Sequence, residues 1–413
     1  MRLLQAAFPF FFYVLWLLAV PMEGPLLIIQ GAEGGSRWFL LTHVATLVII
    51  GRWVTPTRLR FFARTGAAVT ALLTLGLPLA GEYSFVLLAI LGISAAPLTI
   101  KTCYDLHGTS RPILMAAGCL VGANLLLAVI QATSTLPLWL ILLPLLPLMT
   151  LQIIAILEPD HDDRPPLKRS YLVFIFIFQI VSGLMYTYLF PAYNNLAFVH
   201  GLELPFYMAA VMAAALIYQR DRDLLLVGAL SLAMAAFALL QLGGQLPVNV
   251  SMYFMQAAAG CIDLFLLALL LTSTRSVATF AYGLAILCGG IVAGQFISLA
   301  LGSASNIVGM TGSIILNIAA LTLFFHHHRQ QQPDTLPAGQ DQTLTVPAAV
   351  QCLLSEREIH VLTSILSGKN YREAAQELAI SESSIKTYMK RICDKLGVSN
   401  RQDLLKRLTQ SAE

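Results

Sequence analysis

The chain has 413 residues, 57% of them hydrophobic and only 11% charged, and its 25 Lys and Arg against 22 Asp and Glu give a formal net charge of +3. Water-soluble globular chains carry about 25% charged residues, so the composition excludes that class and leaves a polytopic membrane protein. The six cysteines (Cys103, Cys119, Cys261, Cys288, Cys352 and Cys393) stand singly, with neither a C-x-x-C pair nor a Cys/His ligand spacing, which excludes a disulfide framework and a zinc site.

Apolar runs of about 20 residues, the length that crosses a bilayer, predict twelve spans. They lie near 6–28, 37–54, 65–81, 83–101, 112–131, 136–157, 170–191, 198–218, 224–242, 249–272, 277–300 and 307–325. No small-residue cleavage site follows Val20, so the first run reads as a retained span and not as a secretory signal. Loop charge tests the count. With the N-terminus cytoplasmic, one set of loops holds Arg58, Arg60, Arg64, Lys101, Arg111, Arg164, Lys168, Arg169, Arg220, Arg222 and Arg275. The opposite set holds Arg37 together with Glu33, Glu82 and Glu203. Under the positive-inside rule, this split places both termini in the cytoplasm of a bacterial cell, with the chain in the inner membrane.

The charged, Pro-rich loop Glu158–Ser170 divides the spans into halves, 1–157 and 170–325. Twelve spans in a 6+6 arrangement resemble the major facilitator superfamily of transporters, over residues 1–325 and in architecture only. That family's loop between spans two and three reads G-x-x-x-D-R-x-G-R-R. Here Gly51–Arg60 (GRWVTPTRLR) places Thr55 at the Asp and Arg58 at the second Gly, a departure that argues against active transport.

Polar groups inside spans are costly, so they are candidates for a ligand site. Asp263 in the tenth span is the foremost, followed by Asn124, Gln179, Gln256, Gln295 and Asn317, with Glu23 and Asn194-Asn195 near outer ends. Two readings stay open: a small-molecule or proton site between the halves containing Asp263, or hydrogen-bonded groups that fasten helices together. The run His326-His327-His328 falls at the end of the last span beside Arg329 and is not read as a metal site. No nucleotide-binding loop and no nucleophile–base pair is visible, so neither an enzyme nor a cofactor is expected. No receiver domain with a phosphoacceptor Asp precedes the tail.

Residues 326–352 are rich in Gln, Pro, Thr and Ala and read as a flexible linker. A polar domain over 353–410 follows. Ile359, Leu362, Ile365 and Leu366 mark one face of a helix that Gly368 ends; Ala374, Ala375 and Leu378 mark a short second helix. Ser381 is an N-cap followed by Glu382. Ile385, Met389, Ile392 and Leu396 stripe a third helix stopped by Gly397, and Val398, Leu404, Leu405 and Leu408 supply a fourth. A short helix, a tight turn and a capped helix form a helix-turn-helix, whose second helix enters the major groove of double-stranded DNA. The face opposite the core stripe offers Ser383, Lys386, Thr387, Lys390 and Arg391, with Lys369 and Arg372 placed for phosphates. With ten basic and seven acidic residues over 352–410, bulk charge does not decide between a DNA face and a solvated one.

The motif does. Leu354-Ser355-Glu356-Arg357-Glu358, Val361-Leu362, Gly368, Arg372-Glu373, Ala375, Leu378, Ser381, Ser384-Ile385-Lys386, Lys395-Leu396-Gly397-Val398 and Asn400-Arg401 closely resemble the LuxR-type (GerE-type) helix-turn-helix. The resemblance implies base contacts through Lys386, Thr387 and Lys390, backbone contacts from neighbours including Ser384, and a homodimer formed by the last helix, about 399–408. Asn370-Tyr371, Ala374 and Tyr388 depart from the pattern. Tyr388 replaces a His and keeps a hydroxyl able to reach a phosphate.

The whole therefore reads as an all-α chain: a twelve-helix membrane bundle followed by a four-helix DNA-binding domain. The expected role is a one-component transcription regulator governed by a small molecule sensed in the membrane. The alternative is a transporter with a regulatory DNA-binding tail.

Overall fold

The structure, a computed structural model, describes residues 2–22, 35–132, 165–167, 169–301, 305–331, 350, 353–367, 369, 371–398 and 404. The sixth predicted span, Glu23, most of the linker and the last helix apart from Leu404 lie outside these residues. The chain divides into two compact units, Met1–Phe324 and Phe325–Glu413.

The described residues of the first unit form twelve α-helices: α1 (Arg2–Ala19), α2 (Ser36–Trp53), α3 (Pro56–Gly76), α4 (Ser84–His107), α5 (Pro112–Ala132), α6 (Arg169–Thr187), α7 (Leu189–Leu196), α8 (Leu204–Ile217), α9 (Arg222–Leu240), α10 (Gln245–Leu271), α11 (Val277–Leu301) and α12 (Ser305–Gln331). Among the described residues six helical stretches are long and apolar enough to cross a membrane, seven when α6 and α7 are joined across their 41° bend. Pro191 accounts for the bend, because it has no N–H to offer the carbonyl one turn back. Shorter apolar helices cover Ala6–Ala19, Leu204–Ile217 and Val308–Phe324.

Three helix boundaries differ from the sequence expectation. α3 starts at Pro56, not near 65, because Pro at the first helical position is preorganised for a helix and its missing N–H would have had no partner there. Arg58, Arg60 and Arg64 therefore sit on a helix and not in a loop. α4 runs on to His107, which takes Lys101 out of a loop and into a buried turn, 4% exposed. α12 continues to Gln331, six residues past 325, so the helix reaches into the stretch read as linker.

Taking α6–α7 as the seventh span, the halves meet along α2 against α11 and α5 against α8. These are the second span of one half on the fifth of the other, in both directions. This exchange is what a pseudo-two-fold between repeats produces. Close approach within the second half depends on glycine: a Cβ at Gly294 of α11 would stand 2.0 Å from the Ile180 carbonyl oxygen of α6, and one at Gly183 would stand 2.2 Å from that of Ile291. Small residues of this kind let helix backbones pack tightly where lipid supplies no hydrophobic drive between helices.

In the second unit, α13 (Glu356–Leu366), α14 (Tyr371–Glu377) and α15 (Glu382–Leu396) enclose a separate core of Leu354, Val361, Leu362, Ile365, Ala374, Ile385, Met389, Ile392 and Leu404. α14 closes with the Ile380 N–H on the Ala375 carbonyl at 3.0 Å, and Ala379 is left-handed at φ 51°. That conformation favours glycine. Ala379→Gly should therefore stabilise this domain by about 0.5–1 kcal/mol, the left-handed penalty less the added chain entropy of glycine, read as a higher midpoint in urea unfolding.

Candidate functional site

Two places gather the chemistry. The first is a cavity of about 760 Å³ in the membrane unit, lined from both halves. Asp263, on α10, is held by two buried donors from separate helices. Gln179 Nε2 of α6 donates to Oδ1 at 3.3 Å, and the Tyr207 hydroxyl of α8 donates to Oδ2 at 3.1 Å. Both carboxylate oxygens thus act as acceptors, as an ionised carboxylate requires. Gln256 and Asn124 also line the cavity, although the Asn124 amide is turned onto the Leu120 carbonyl of its own helix at 2.9 Å.

The wall contributed by the first half contains a set the sequence reading missed. His43 Nδ1 donates to the Gly92 carbonyl at 2.9 Å, and its Nε2 lies 3.1 Å from Thr99 Oγ1, which in turn meets the Tyr13 hydroxyl at 2.5 Å. This chain is complete with a neutral His43. Its members are 86 and 56 residues apart, and each reads alone as an ordinary polar residue in an apolar run. Glu203, predicted only as a loop charge, lines the cavity too and accepts from the Tyr193 hydroxyl at 2.7 Å.

Gln295 does not join this group. It lies in α11 with its Nε2 on Ser36 Oγ at 3.3 Å and its buried Oε1 without a partner among the described residues, so it ties the halves together away from the cavity. Asn317 bonds the Ser313 carbonyl within α12, and Glu23 lies outside the described residues.

The cavity lining reaches Glu203 and Leu204 at one end and stops at Cys103 and Leu267 toward the other. Beyond that point the halves are stitched together. Lys101 pairs with Asp105 inside α4, and His107 Nε2 donates to the Ser273 carbonyl at 2.8 Å. The Arg275 guanidinium lies 4.2 Å over the Tyr104 ring and donates to the Tyr104 carbonyl at 3.0 Å through Nη2. Arg275, predicted as a loop charge, thus ties one half to the other, whereas the Lys101–Asp105 pair lies within α4.

The second place is α15. Ser381 caps it by accepting from the Ser384 N–H at 3.1 Å, and Gly397 ends it left-handed at φ 65°. Ser383, Lys386, Thr387, Lys390 and Arg391 are exposed, whereas Ser384 and Tyr388 are half-buried and Tyr388 packs on the core. Lys386 pairs with Glu382 one turn back at 2.9 Å. An exposed pair of this kind is worth about 0–1 kcal/mol, so little holds the Lys386 ammonium in it. Thr387 Oγ1 rests on the Ser383 carbonyl at 2.9 Å. Lys369 is engaged elsewhere, with its Nζ on Glu377 Oε1 at 2.5 Å. That hydrogen bond, helped by one from Ser364, holds the Glu377 carboxyl below its ordinary value. The Arg372 side chain lies outside what is described.

Glu358 orders the domain. It closes a capping box with Ser355, whose N–H it accepts at 2.8 Å, and it takes Lys395 Nζ of α15 at 2.7 Å. The Lys395 hydrogen bond is the main reason its carboxyl lies below the usual carboxylate range. One buried acid therefore joins the start of α13 to the end of α15. Its sequence signal, S-x-x-E, was present in the motif, and so was Lys395, but no spacing in the sequence joined the two.

Residues 353–408 match the family described as bacterial regulatory proteins, luxR family (GerE). Over 54 residues, 13% of this chain, the sequence is 41% identical to the transcriptional regulatory protein DesR of Bacillus subtilis (strain 168), of which the matched stretch spans 27%. The chain is also similar in fold to two solved transporters. The E. coli fucose:proton symporter FucP aligns over 80% of this chain and 98% of its own at 13% identity, with a TM-score of 0.54. The human organic anion transporter MFSD10 (TETRAN) aligns over 78% and 97% at 16% identity, also with a TM-score of 0.54. Residues 353–408 are therefore a LuxR-type helix-turn-helix domain, carried by a chain whose multi-pass membrane part has the major facilitator fold.

Proposed function

We propose that the chain is a one-component transcription regulator whose membrane cavity binds a small molecule and whose C-terminal domain reads DNA. The observation that carries this reading is the exposed Lys386–Thr387–Lys390 face on a doubly capped α15, in a domain with a core of its own. The cavity between the two halves supports the sensing role, since binding there can bias how the halves pack. Asp263 and Gln179 belong to the ligand site in this reading, with Gln256 beside them. Lys386, Thr387 and Lys390 contact bases, and Ser383, Arg391 and Arg372 contact phosphates. Two copies bind as a homodimer through the segment 399–408, on half-sites about one helical turn apart. Both termini lie in the cytoplasm of a bacterial inner membrane, in keeping with the arginine-rich set of loops and helix ends. The division of labour is 1–325 for sensing, 326–352 for tethering and 353–410 for DNA.

Genomic DNA retained by the full chain in lipid discs should be enriched in one recurring operator, and added ligand should change the retained fraction severalfold. Equal retention of all sequences would overturn the reading. The fold also favours a second reading, a transporter with a regulatory tail. That reading requires saturable uptake by proteoliposomes.

A further inference from the structure

We infer that the cavity takes a monovalent organic cation with an apolar body, its positive charge set against Asp263. This deepens the proposed function and rests on the cavity being its ligand site. The argument is one of charge. Asp263 accepts hydrogen bonds at both oxygens from neutral donors, Gln179 and Tyr207, which are 2% and 8% exposed. Among the described residues it has no basic partner, and no lysine or arginine lines the cavity. The second carboxylate in the lining, Glu203, is likewise met by a neutral hydroxyl, that of Tyr193. The basic members are His43, whose hydrogen-bonded chain needs no charge, and His200 at the far end.

An unpaired carboxylate in an apolar enclosure is costly, and a ligand that brings the missing charge removes that cost. An anion would add to it. The rest of the wall suits the rest of such a ligand. Phe10, Tyr13, Phe39 and Phe190 join Tyr207 around the space, and aromatic faces attract cations that have shed their water. An inorganic cation does not fit. It needs six or so oxygen ligands close around it, whereas the carboxylate here is surrounded mainly by carbon. The volume of about 760 Å³ lies in the range of sites for drug-sized molecules.

Tetraphenylphosphonium and tetraphenylborate form the test pair, being alike in size and shape and opposite in sign. The full chain in lipid discs should bind labelled tetraphenylphosphonium saturably above the background of empty discs, and tetraphenylborate should not compete. Asp263→Asn should weaken binding at least tenfold, and Asp263→Glu, which keeps the charge, should recover most of it. Competition by the borate, unchanged binding by a monodisperse Asp263→Asn chain, or no saturable binding by the folded native chain would each overturn the inference. Operator retention measured on the same discs separates the two proposals. Operator binding without cation binding sinks this inference and leaves the regulator standing. Cation binding by a chain that retains no operator supports this inference and sinks the regulator.

Discussion

Lys386→Ala together with Lys390→Ala should abolish operator recognition by the 350–413 fragment while leaving its fold intact. Both side chains are exposed on α15, opposite the buried Ile385–Met389–Ile392 stripe, so their truncation removes no core packing. A good base-edge contact discriminates by about 1–3 kcal/mol, and losing two should weaken specific binding by roughly 30-fold to 10⁴-fold. Titrations against operator and random DNA should then give nearly equal affinities. If either lysine meets a phosphate instead, the slope of log affinity against log salt should fall by about 0.9 for that contact, which tells the two roles apart. Circular dichroism should be unchanged, since Lys386 loses only an exposed pair with Glu382. Unaltered discrimination between operator and random DNA would show that α15 does not read bases.

Glu358→Ala should have the opposite profile, a damaged fold with the DNA face untouched. The substitution removes the carboxylate's side of the capping box, its bonds from the Ser355 N–H and hydroxyl, and the tie to Lys395, while the backbone N–H at position 358 still donates to Ser355 Oγ. The Ser355 cap itself survives, and a hydrogen bond to a charged group is worth about 1.5–3 kcal/mol. Lys395 is 44% exposed at its side chain and returns to water, which keeps the total near 2–3 kcal/mol. Urea unfolding of the fragment should show the loss as a lower midpoint with an unchanged slope.

The effect should depend on pH in a definite direction. Because the Glu358 carboxyl is lowered in the folded domain, its contribution is fully present above the unfolded value of about 4.3. It is lost as pH falls through the lower folded value. The native and Glu358→Ala fragments should therefore differ most near neutrality and converge in acid. A gap that widened in acid would refute the assignment.

The helix-turn-helix was legible in the sequence because its signals are local. Ser355 and Glu358 are three residues apart, Ser381 caps the turn that follows it, and Gly397 ends the same helix it flanks. Hydrophobic length likewise announced most spans, because crossing a bilayer needs an apolar run whatever surrounds it. The same local reasoning placed the start of α3 too late and Lys101 outside its helix. Charge marks the end of an apolar run but does not end a helix, and Lys101 found Asp105 one turn on.

Cavity membership was decided elsewhere. A polar residue in a span can face lipid, a neighbouring helix or the space between halves, and about 100° of rotation per residue separates these fates. The rotation is set by neighbours, for α6 and α11 by the glycines that let Ile180 and Ile291 carbonyls approach the opposite backbone. So the sequence by itself determined that there is a membrane bundle, a LuxR-type domain and a short list of costly intramembrane polar groups. Only the tertiary structure decided that Asp263 meets Gln179 and Tyr207, that His43, Thr99 and Tyr13 form the facing wall, and that Gln295 bonds Ser36 instead. Those groups lie tens to hundreds of residues apart, and no periodicity within one helix records which way it turns toward another.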